Sequence, residues 1–209
     1  MRSSASEESS TGAIFLQELR EATAFWHRQL EDLDQSKAIL AEEVTPQQYL
    51  LYLKTMYGFI KPFESAVYPQ LTIPDIGRRY KTALLEKDMA QLGMGPDAIA
   101  GIPLYRLPAT VSNAEAMGMM YVIEGSTLGG AVIYKHIHKV LGLDAQNGAS
   151  YFQPYGQQAG SYWKTFREQL VTFSLGQQKE QEVIAAATQT FKNIHDWFLY
   201  TSLKQPLPL

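Results

Sequence analysis

His27 is the residue of this sequence best suited to chemistry, and it lies on a predicted first helix from Ile14 to about Leu33. Arg20 precedes it by seven residues, which on an α-helix is a separation of about 20° in direction and about 10 Å along the axis. A flat ligand along this face would meet an imidazole at its centre and a guanidinium at its edge. Because an imidazole ligates transition metals and a guanidinium pairs with carboxylates, the two residues predict a site for a metal macrocycle that carries carboxylates.

The stretch from Tyr121 to Gly130 is the second informative feature, because it places three glycines inside a predicted helix. Gly125, Gly129 and Gly130 together cost the helix roughly 2–3 kcal/mol relative to alanine. Gly125 and Gly129 are four residues apart and therefore share one face of the helix. A sequence tolerates such glycines where a side chain would be in the way, so we expect a flat or bulky group to lie against this backbone.

The other three histidines are weaker candidates for metal ligands. His136 and His138 are two residues apart on a helix, so they point in different directions and cannot hold one metal ion together. We interpret both as surface or interface residues. His195 lies in an aromatic-rich final helix, where a hydrogen-bonded histidine beside packed rings is the simpler interpretation.

Lys164 and Arg167, on a later helix, lie among aromatic residues. Charges at such positions usually form a solvated face, although these two could also hold carboxylates of a ligand. Other kinds of site lack their residues: the sequence has no Glu-x-x-His pair, no Gly-x-Ser-x-Gly elbow and no strand before a glycine-rich loop. The chain has no cysteine, which excludes thiolate catalysis and disulfides.

Helical periodicity dominates the sequence and predicts a single all-α domain of about six helices. Two capping boxes, Thr45–Gln48 and Ser112–Glu115, mark the starts of the second helix and of the glycine-containing helix, which should end with Gly142 at its C-cap. Loops are expected over residues 93–108 and 148–156. The remaining helices are predicted from Pro74 to about Gln91, from about Gln157 to Leu175 and from about Gln178 to Ser202.

The length of 209 residues suits one domain with a full core, and a net charge of −3 without a basic block argues against nucleic-acid binding. We expect this domain over residues 13–203, between a disordered N-terminal tail over residues 1–12 and a C-terminal tail over residues 204–209. No apolar run is long enough to predict a membrane span. The lack of cysteine fits a reducing compartment, so we expect a cytoplasmic protein.

Two motifs resemble those of haem oxygenases. The stretch Leu19–His27 matches the pattern Leu-(Lys/Arg)-x-x-Thr-x-x-x-His of their proximal helix, and Glu124–Gly130 resembles their distal helix. The second motif is most similar to the bacterial branch, including enzymes that supply biliverdin to bacterial phytochromes. The motifs occur in the family's order and at about its separation, and the resemblance covers roughly residues 13 to 200. It implies a single-domain haem-oxygenase-like helical bundle.

The resemblance implies roles for the residues nearest the iron. His27 would be the proximal ligand of haem iron, and Gly125 and Gly129, with Gly130 beside them, would let the distal backbone lie on the porphyrin. Ser126 would be catalytic, and it stands where mammalian enzymes carry an aspartate that organises a water. Several bacterial relatives also have serine there. A hydroxyl can hold a water but supplies no charge.

The resemblance also implies contacts at the edge of the haem. Arg20 matches the family's basic residue near the propionates, and Thr23 belongs to the same motif. Tyr121, Lys164 and Arg167 are further candidates for propionate contacts.

The reaction that the resemblance implies is oxidative opening of haem to biliverdin, iron and carbon monoxide. Haem would be both substrate and cofactor, with O2 and with electrons from an external reductase or ferredoxin. The implied partners are haem, an electron-donor protein and, for chromophore supply, a bilin-accepting phytochrome. A monomer is the default expectation.

Three alternatives stand beside this hypothesis. A haem-binding or haem-carrying protein of the same fold, with little or no turnover, is compatible with Ser126. A thiaminase-like hydrolase would need a catalytic cysteine, which the chain lacks. A purely structural helical module would leave the glycines of the distal motif unexplained.

Overall fold

The computed structural model describes the backbone of residues 2–204 and the side chains of residues 10–203. Within these residues it contains eight α-helices and no strand, which confirms the predicted all-α class. Four short 3-10 turns lie between them, at Tyr68–Gln70, Ile76–Arg78, Ser150–Phe152 and Gly156–Gln158. The helices are α1 (Arg2–Asp32), α2 (Asp34–Ala38), α3 (Pro46–Ala66), α4 (Thr82–Gln91), α5 (Pro96–Ala100), α6 (Asn113–Leu141), α7 (Ala159–Gln177) and α8 (Glu180–Lys204).

The first helix is longer than its apolar pattern predicts. It begins at Arg2, so residues up to Gly12, which the composition predicts to be a disordered tail, are helical from Arg2 onward. No proline interrupts this stretch and its glutamates suit a helix, so no local signal stops the helix from extending toward the N-terminus. At the other end α8 continues through Lys204. The rest of the predicted C-terminal tail, residues 205–209, lies outside the described residues.

Local capping signals define the helix ends where the sequence predicts them. The Thr45 hydroxyl accepts the Gln48 N–H at 3.2 Å, while the Gln48 side chain accepts the Thr45 N–H at 2.8 Å. Ser112 and Glu115 form the same reciprocal pair at the start of α6. This helix ends at Gly142, whose φ of +69° is in the left-handed region that glycine adopts without strain.

The helix predicted to start at Pro74 begins only at Thr82. The residues before it form a 3-10 turn followed by an irregular segment that carries Arg79 and Lys81 into the interior. Both side chains bind a buried carboxylate of α6. A tertiary ion pair, rather than a local preference, therefore sets where α4 begins.

Two other differences from the sequence-based prediction are local. The loop predicted over residues 93–108 contains the short helix α5, which Pro96 opens at its first turn. The chain continues helically past Gly176, where a break is predicted, and turns instead at Gln178 with φ of +55°.

Helix α6 is the central element of the fold. It packs along α8 and α7, while α8 also packs against α1, and α3 packs against α4. Met120 and Ile123 of α6 are almost completely buried. By length and composition alone α6 is apolar enough to cross a membrane, with a mean hydropathy of 1.3, but 56% of that stretch is buried inside the fold. We therefore interpret it as the core helix of the domain.

Candidate active site

A cavity of about 800 Å³ lies between α1 and α6. Both helices pack mainly on α8, which leaves a space between them. Side chains of α3 and α8, together with Tyr151 and Phe152 of an aromatic turn, also line the cavity. Its volume is within the range of roughly 300–1,000 Å³ that is usual for binding sites of organic ligands.

His27 of α1 borders the cavity and leaves 53% of its side chain exposed. Its Nε2 atom is 3.6 Å from Oε1 of Glu31, one turn further along the helix. The imidazole is edge-on to the ring of Phe191 of α8, with 5.1 Å between the ring centroids, and this contact restricts its orientation. Because the side chain is more than half exposed and borders the cavity, the imidazole is accessible to a metal there.

Thr23 and Tyr121 connect α1 to α6 along the cavity. The Thr23 hydroxyl is buried and donates to the carbonyl of Leu19 at 2.8 Å, and it also hydrogen-bonds to Tyr121. Burial raises the pKa of the Tyr121 phenol, although the bond with Thr23 and the charges of Arg167 and Arg20 oppose the shift. The phenol is therefore protonated at neutral pH and lies within the field of two guanidinium groups.

The distal glycines differ in what surrounds them. A Cβ on Gly129 would meet no atom within 4 Å, and one on Gly125 would lie at an ordinary 3.5 Å from the ring of Trp163. Protein packing therefore does not demand glycine at either position. A Cβ on Gly130, in contrast, would come within 3.3 Å of the carbonyl oxygen of Phe152. The bare backbone at Gly125 and Gly129 leaves room for something other than the protein itself.

The candidate cations do not all reach the cavity. Arg20 borders it. Arg167 does not border it but acts electrostatically on Tyr121. Lys164 is 79% exposed, lies 4.0 Å from Glu168 and is absent from the cavity wall, so the prediction that it contacts a ligand there is not supported by its position.

Residues 13–200 of the chain match the family model that describes heme oxygenases. The chain belongs to the haem oxygenase family. A curated relative, heme oxygenase PigA of Pseudomonas aeruginosa, is 27% identical over 175 residues, which are 81% of this chain and 84% of that protein. The family resemblance inferred from the two helical motifs is confirmed.

Solved structures show the same fold. The heme oxygenase of Neisseria meningitidis aligns with a TM-score of 0.70 and 24% identity, over 90% of this chain and 91% of that one. Heme oxygenase-1 of the cyanobacterium Synechocystis, solved in complex with heme, also aligns with a TM-score of 0.70, at 17% identity over 91% of this chain and 93% of that one. At these identities the likeness establishes the fold alone.

Ser126 borders the cavity next to Gly125. Its hydroxyl proton is directed at the backbone, because Oγ donates to the carbonyl of Ile123 at 2.8 Å. The oxygen lone pairs remain available, so the side chain can accept a hydrogen bond from a water but does not itself direct a proton into the cavity.

A buried charge cluster, which we call the Glu124 cluster, lies behind the distal wall and is not evident from the sequence. It consists of Asp75, Arg79, Lys81, Glu124 and Tyr155. Oε1 of Glu124 accepts from Lys81 Nζ at 2.6 Å and from the Tyr155 hydroxyl at 2.8 Å, and Oε2 accepts from Arg79. Arg79 also pairs with Asp75 at 2.8 Å. The sequence shows only isolated charges here, and isolated charges are normally exposed.

The residues at the interior end of the cavity are likewise not evident from the sequence. Tyr52 and Met56 of α3 line it, and burial raises the pKa of Tyr52 to about 12. Beside them the aromatic turn is held by the buried carboxylate of Asp88, which accepts the Ser150 N–H at 2.9 Å and the Tyr151 N–H at 2.7 Å. A loop rich in aromatic residues is visible in the sequence, but its attachment to α4 is not.

The three remaining histidines lie away from the cavity. Nε2 of His136 is 2.8 Å from the carbonyl of Ala41, and Nδ1 of His138 is 3.1 Å from that of Leu143. His195 packs against the ring of Trp26. In the part of the chain that the structure describes, no three His, Asp or Glu side chains come together as metal ligands. A lone histidine in the cavity suits a metal whose other ligands belong to a macrocycle.

Proposed function

We propose that this protein binds haem in the cavity between α1 and α6 and opens it oxidatively to biliverdin, iron and carbon monoxide. The observation that carries the proposal is that His27 and the bare backbone of Gly125 and Gly129 line the same cavity. His27 supplies a metal ligand, and the glycine backbone leaves room for a flat macrocycle. Family membership of the matched relatives supports the same reaction.

The residues of the cavity have separable roles in this proposal. His27 binds iron through Nε2, the atom that lies near Glu31, so binding requires the imidazole to exchange this weak, exposed partner for the metal. The ring of Phe191 limits the rotation of the imidazole. Arg20 attracts the propionates at the exposed edge, since a guanidinium is a strong partner for carboxylates.

On the distal side the chain acts through its backbone and its shape. Gly125 and Gly129 admit the face of the macrocycle, and the ring of Trp163 lies beside them. Phe152 and Tyr151 line the interior end with aromatic rings and limit the entry of water. Ser126 holds a water through its lone pairs. Haem, when bound, supplies the iron that activates O2 and is itself the molecule that is opened.

The electrons come from outside the chain in this proposal. The described residues offer no second redox centre of protein ligands. We propose a ferredoxin or a flavin reductase as donor, with O2 as oxidant. A cytoplasmic site of action, and delivery of the bilin to a phytochrome, are part of the same proposal.

A haem carrier with little turnover is the second candidate. It is favoured by one observation, the Ser126 hydroxyl that donates to the backbone rather than into the cavity. Such a protein would bind haem equally well and would differ only in the fate of the haem after reduction.

A haemin titration and subsequent reduction under O2 test both candidates. A saturable one-to-one Soret band that decays to a bilin spectrum with ascorbate or a ferredoxin system is the expected result. His27→Ala should lose the normal Soret spectrum and at least about a hundredfold of the turnover, because the metal ligand is gone. A stable Soret band without bilin would establish the carrier. Absence of saturable binding, or an unchanged His27→Ala variant, would contradict haem binding as proposed.

A further inference from the structure

Three cations among residues 10–203 line the cavity, and Lys81 differs from the other two. Arg20 and Arg28 lie on the exposed side of α1. Lys81 precedes α4, is only 1% exposed and borders the cavity among buried residues of α6 and the aromatic turn. It is the cation of this cavity that water does not screen.

The ammonium group of Lys81 is fixed in place. A lysine has three N–H donors, and each has an acceptor: Glu124 Oε1 at 2.6 Å, the carbonyl of Arg79 at 3.0 Å and the Tyr155 hydroxyl at 3.2 Å. No donor is left to hydrogen-bond a ligand directly. Any effect of Lys81 on the cavity therefore acts through its charge.

The remaining groups of the Glu124 cluster lie behind this charge. Glu124, Arg79 and Asp75 do not border the cavity, whereas Lys81 does. Lys81 is therefore the residue through which the Glu124 cluster meets the cavity. Asp75, 27% exposed, is where the cluster approaches solvent.

Other titratable groups facing Lys81 come from α3 and from neighbouring turns. Glu64 of α3 accepts the backbone N–H of Lys81 at 2.5 Å, and burial raises the pKa of this carboxyl. Burial also raises the pKa of Tyr155 and of Tyr68, whose hydroxyl donates to the carbonyl of Arg79. Both phenols therefore stay protonated near neutral pH. The charges of the cluster are carried by its carboxylates, its lysine and its arginine.

We propose that Lys81 is a positioning residue that presents a fixed positive charge to the interior end of the cavity. The Glu124 carboxylate offsets part of the positive potential that this charge produces in the cavity. The charge lowers the proton affinity of water held in the cavity beside haem. This inference rests on the proposed haem binding. It concerns how protons are held in the cavity, and of the two residues involved Lys81 lies outside both helical motifs.

Opposite charge changes in one ion pair provide the test. The pH midpoint of the spectral change of the ferric haem complex reports the proton affinity of water at the iron. Lys81→Met, which removes a positive charge, should raise this midpoint by about one pH unit, and Glu124→Gln, which removes a negative charge, should lower it by a similar amount. Lys81→Arg keeps the charge and should restore the midpoint. Lys179→Met, which breaks the exposed pair with Glu182, is the matched control and should leave the midpoint unchanged.

The opposite signs separate an electrostatic role from a structural one. Both variants break the same buried pair, so a purely structural role would move the two midpoints in the same direction or not at all, and either result would overturn the inference. If a single variant does not fold, Lys81→Gln carries the same expectation as Lys81→Met, and the double variant Lys81→Met/Glu124→Gln should return the midpoint to the wild-type value. Absence of haem binding by the wild-type chain would contradict the proposed function instead.

Discussion

The two helices that border the cavity are held in different ways. On α1, His27 and its partner Glu31 are both more than half exposed and are 3.6 Å apart. On α6, Glu124 is 1% exposed and binds two cations and a phenol. The α1 wall has side chains that remain available to bind a ligand. The α6 wall exposes glycine backbone to the cavity, and the Glu124 cluster holds this backbone in place from the opposite side of the helix. At Gly125, Gly129 and Gly130 this helix has no side chains with which to position its backbone.

The largest difference between the walls should appear in stability. Glu124→Ala leaves Arg79 and Lys81 buried without their shared carboxylate and should lower the free energy of unfolding by about 3–5 kcal/mol. For a chain of this size that corresponds to a fall in Tm of roughly 10 °C. Glu31→Ala removes an exposed carboxylate and should change stability by less than about 0.5 kcal/mol. Urea unfolding followed by circular dichroism measures both.

Equal effects of these two substitutions would contradict the comparison. A small effect of Glu124→Ala would mean that the Glu124 cluster does not hold α6. A large effect of Glu31→Ala would mean that the α1 wall is as constrained as the distal one.

The second prediction distinguishes glycines required for ligand binding from glycines required for packing within the protein. Gly129→Ala should stabilise the haem-free protein by about 0.5–1 kcal/mol, because alanine is the better helix former and its Cβ meets no atom. The same variant should bind haem more weakly, since the methyl group would occupy the distal surface. Thermal unfolding without haem and a Soret titration measure the two effects.

Gly130→Ala is the matched control for this prediction. Its Cβ would press on the carbonyl of Phe152, in a turn that the buried carboxylate of Asp88 holds in place. This variant should lose stability rather than gain it. If Gly129→Ala destabilised the haem-free protein, its glycine would be a packing requirement and the argument for a ligand at that position would fail.

The sequence predicts the α6 wall well where the determinants are local. Ser112, Glu115 and Gly142 define the ends of α6 through contacts within a few residues, and the helix has the predicted limits. His27 and Gly125, recognised from spacing on their own helices, line one cavity as expected. Patterns with a period of one helical turn are visible to sequence analysis because each is complete within one element.

The contacts that hold that wall in place were not predictable in the same way. Glu124 lies 45 residues from Arg79 and 43 from Lys81 in sequence, and nothing in either local pattern indicates that the three charges meet. The interior position of the two cations also replaces the predicted helix start at Pro74 with an irregular segment. Lys164 fits the general expectation that a charged residue at such a position is solvated, since its side chain is 79% exposed.

The smallest predicted effect concerns the ion pairs of α8 beside the α1 wall. Lys192 donates to Asp196 at 2.6 Å, and this bond, with a further one from His195, lowers the pKa of the Asp196 carboxyl. A carboxyl with a lowered folded-state pKa stabilises the protein above its unfolded-state pKa, and the stabilisation is lost as the pH falls through the folded-state value. Asp196 is 49% exposed, so Asp196→Asn should cost less than about 1 kcal/mol at pH 7 and nothing in the acid limit.

About 1 M NaCl should remove most of this difference and leave the effect of Glu124→Ala nearly intact, because salt screens exposed charges far more than buried ones. Equal salt sensitivity of the two variants in urea unfolding would show that solvent reaches the Glu124 cluster as freely as the surface of α8.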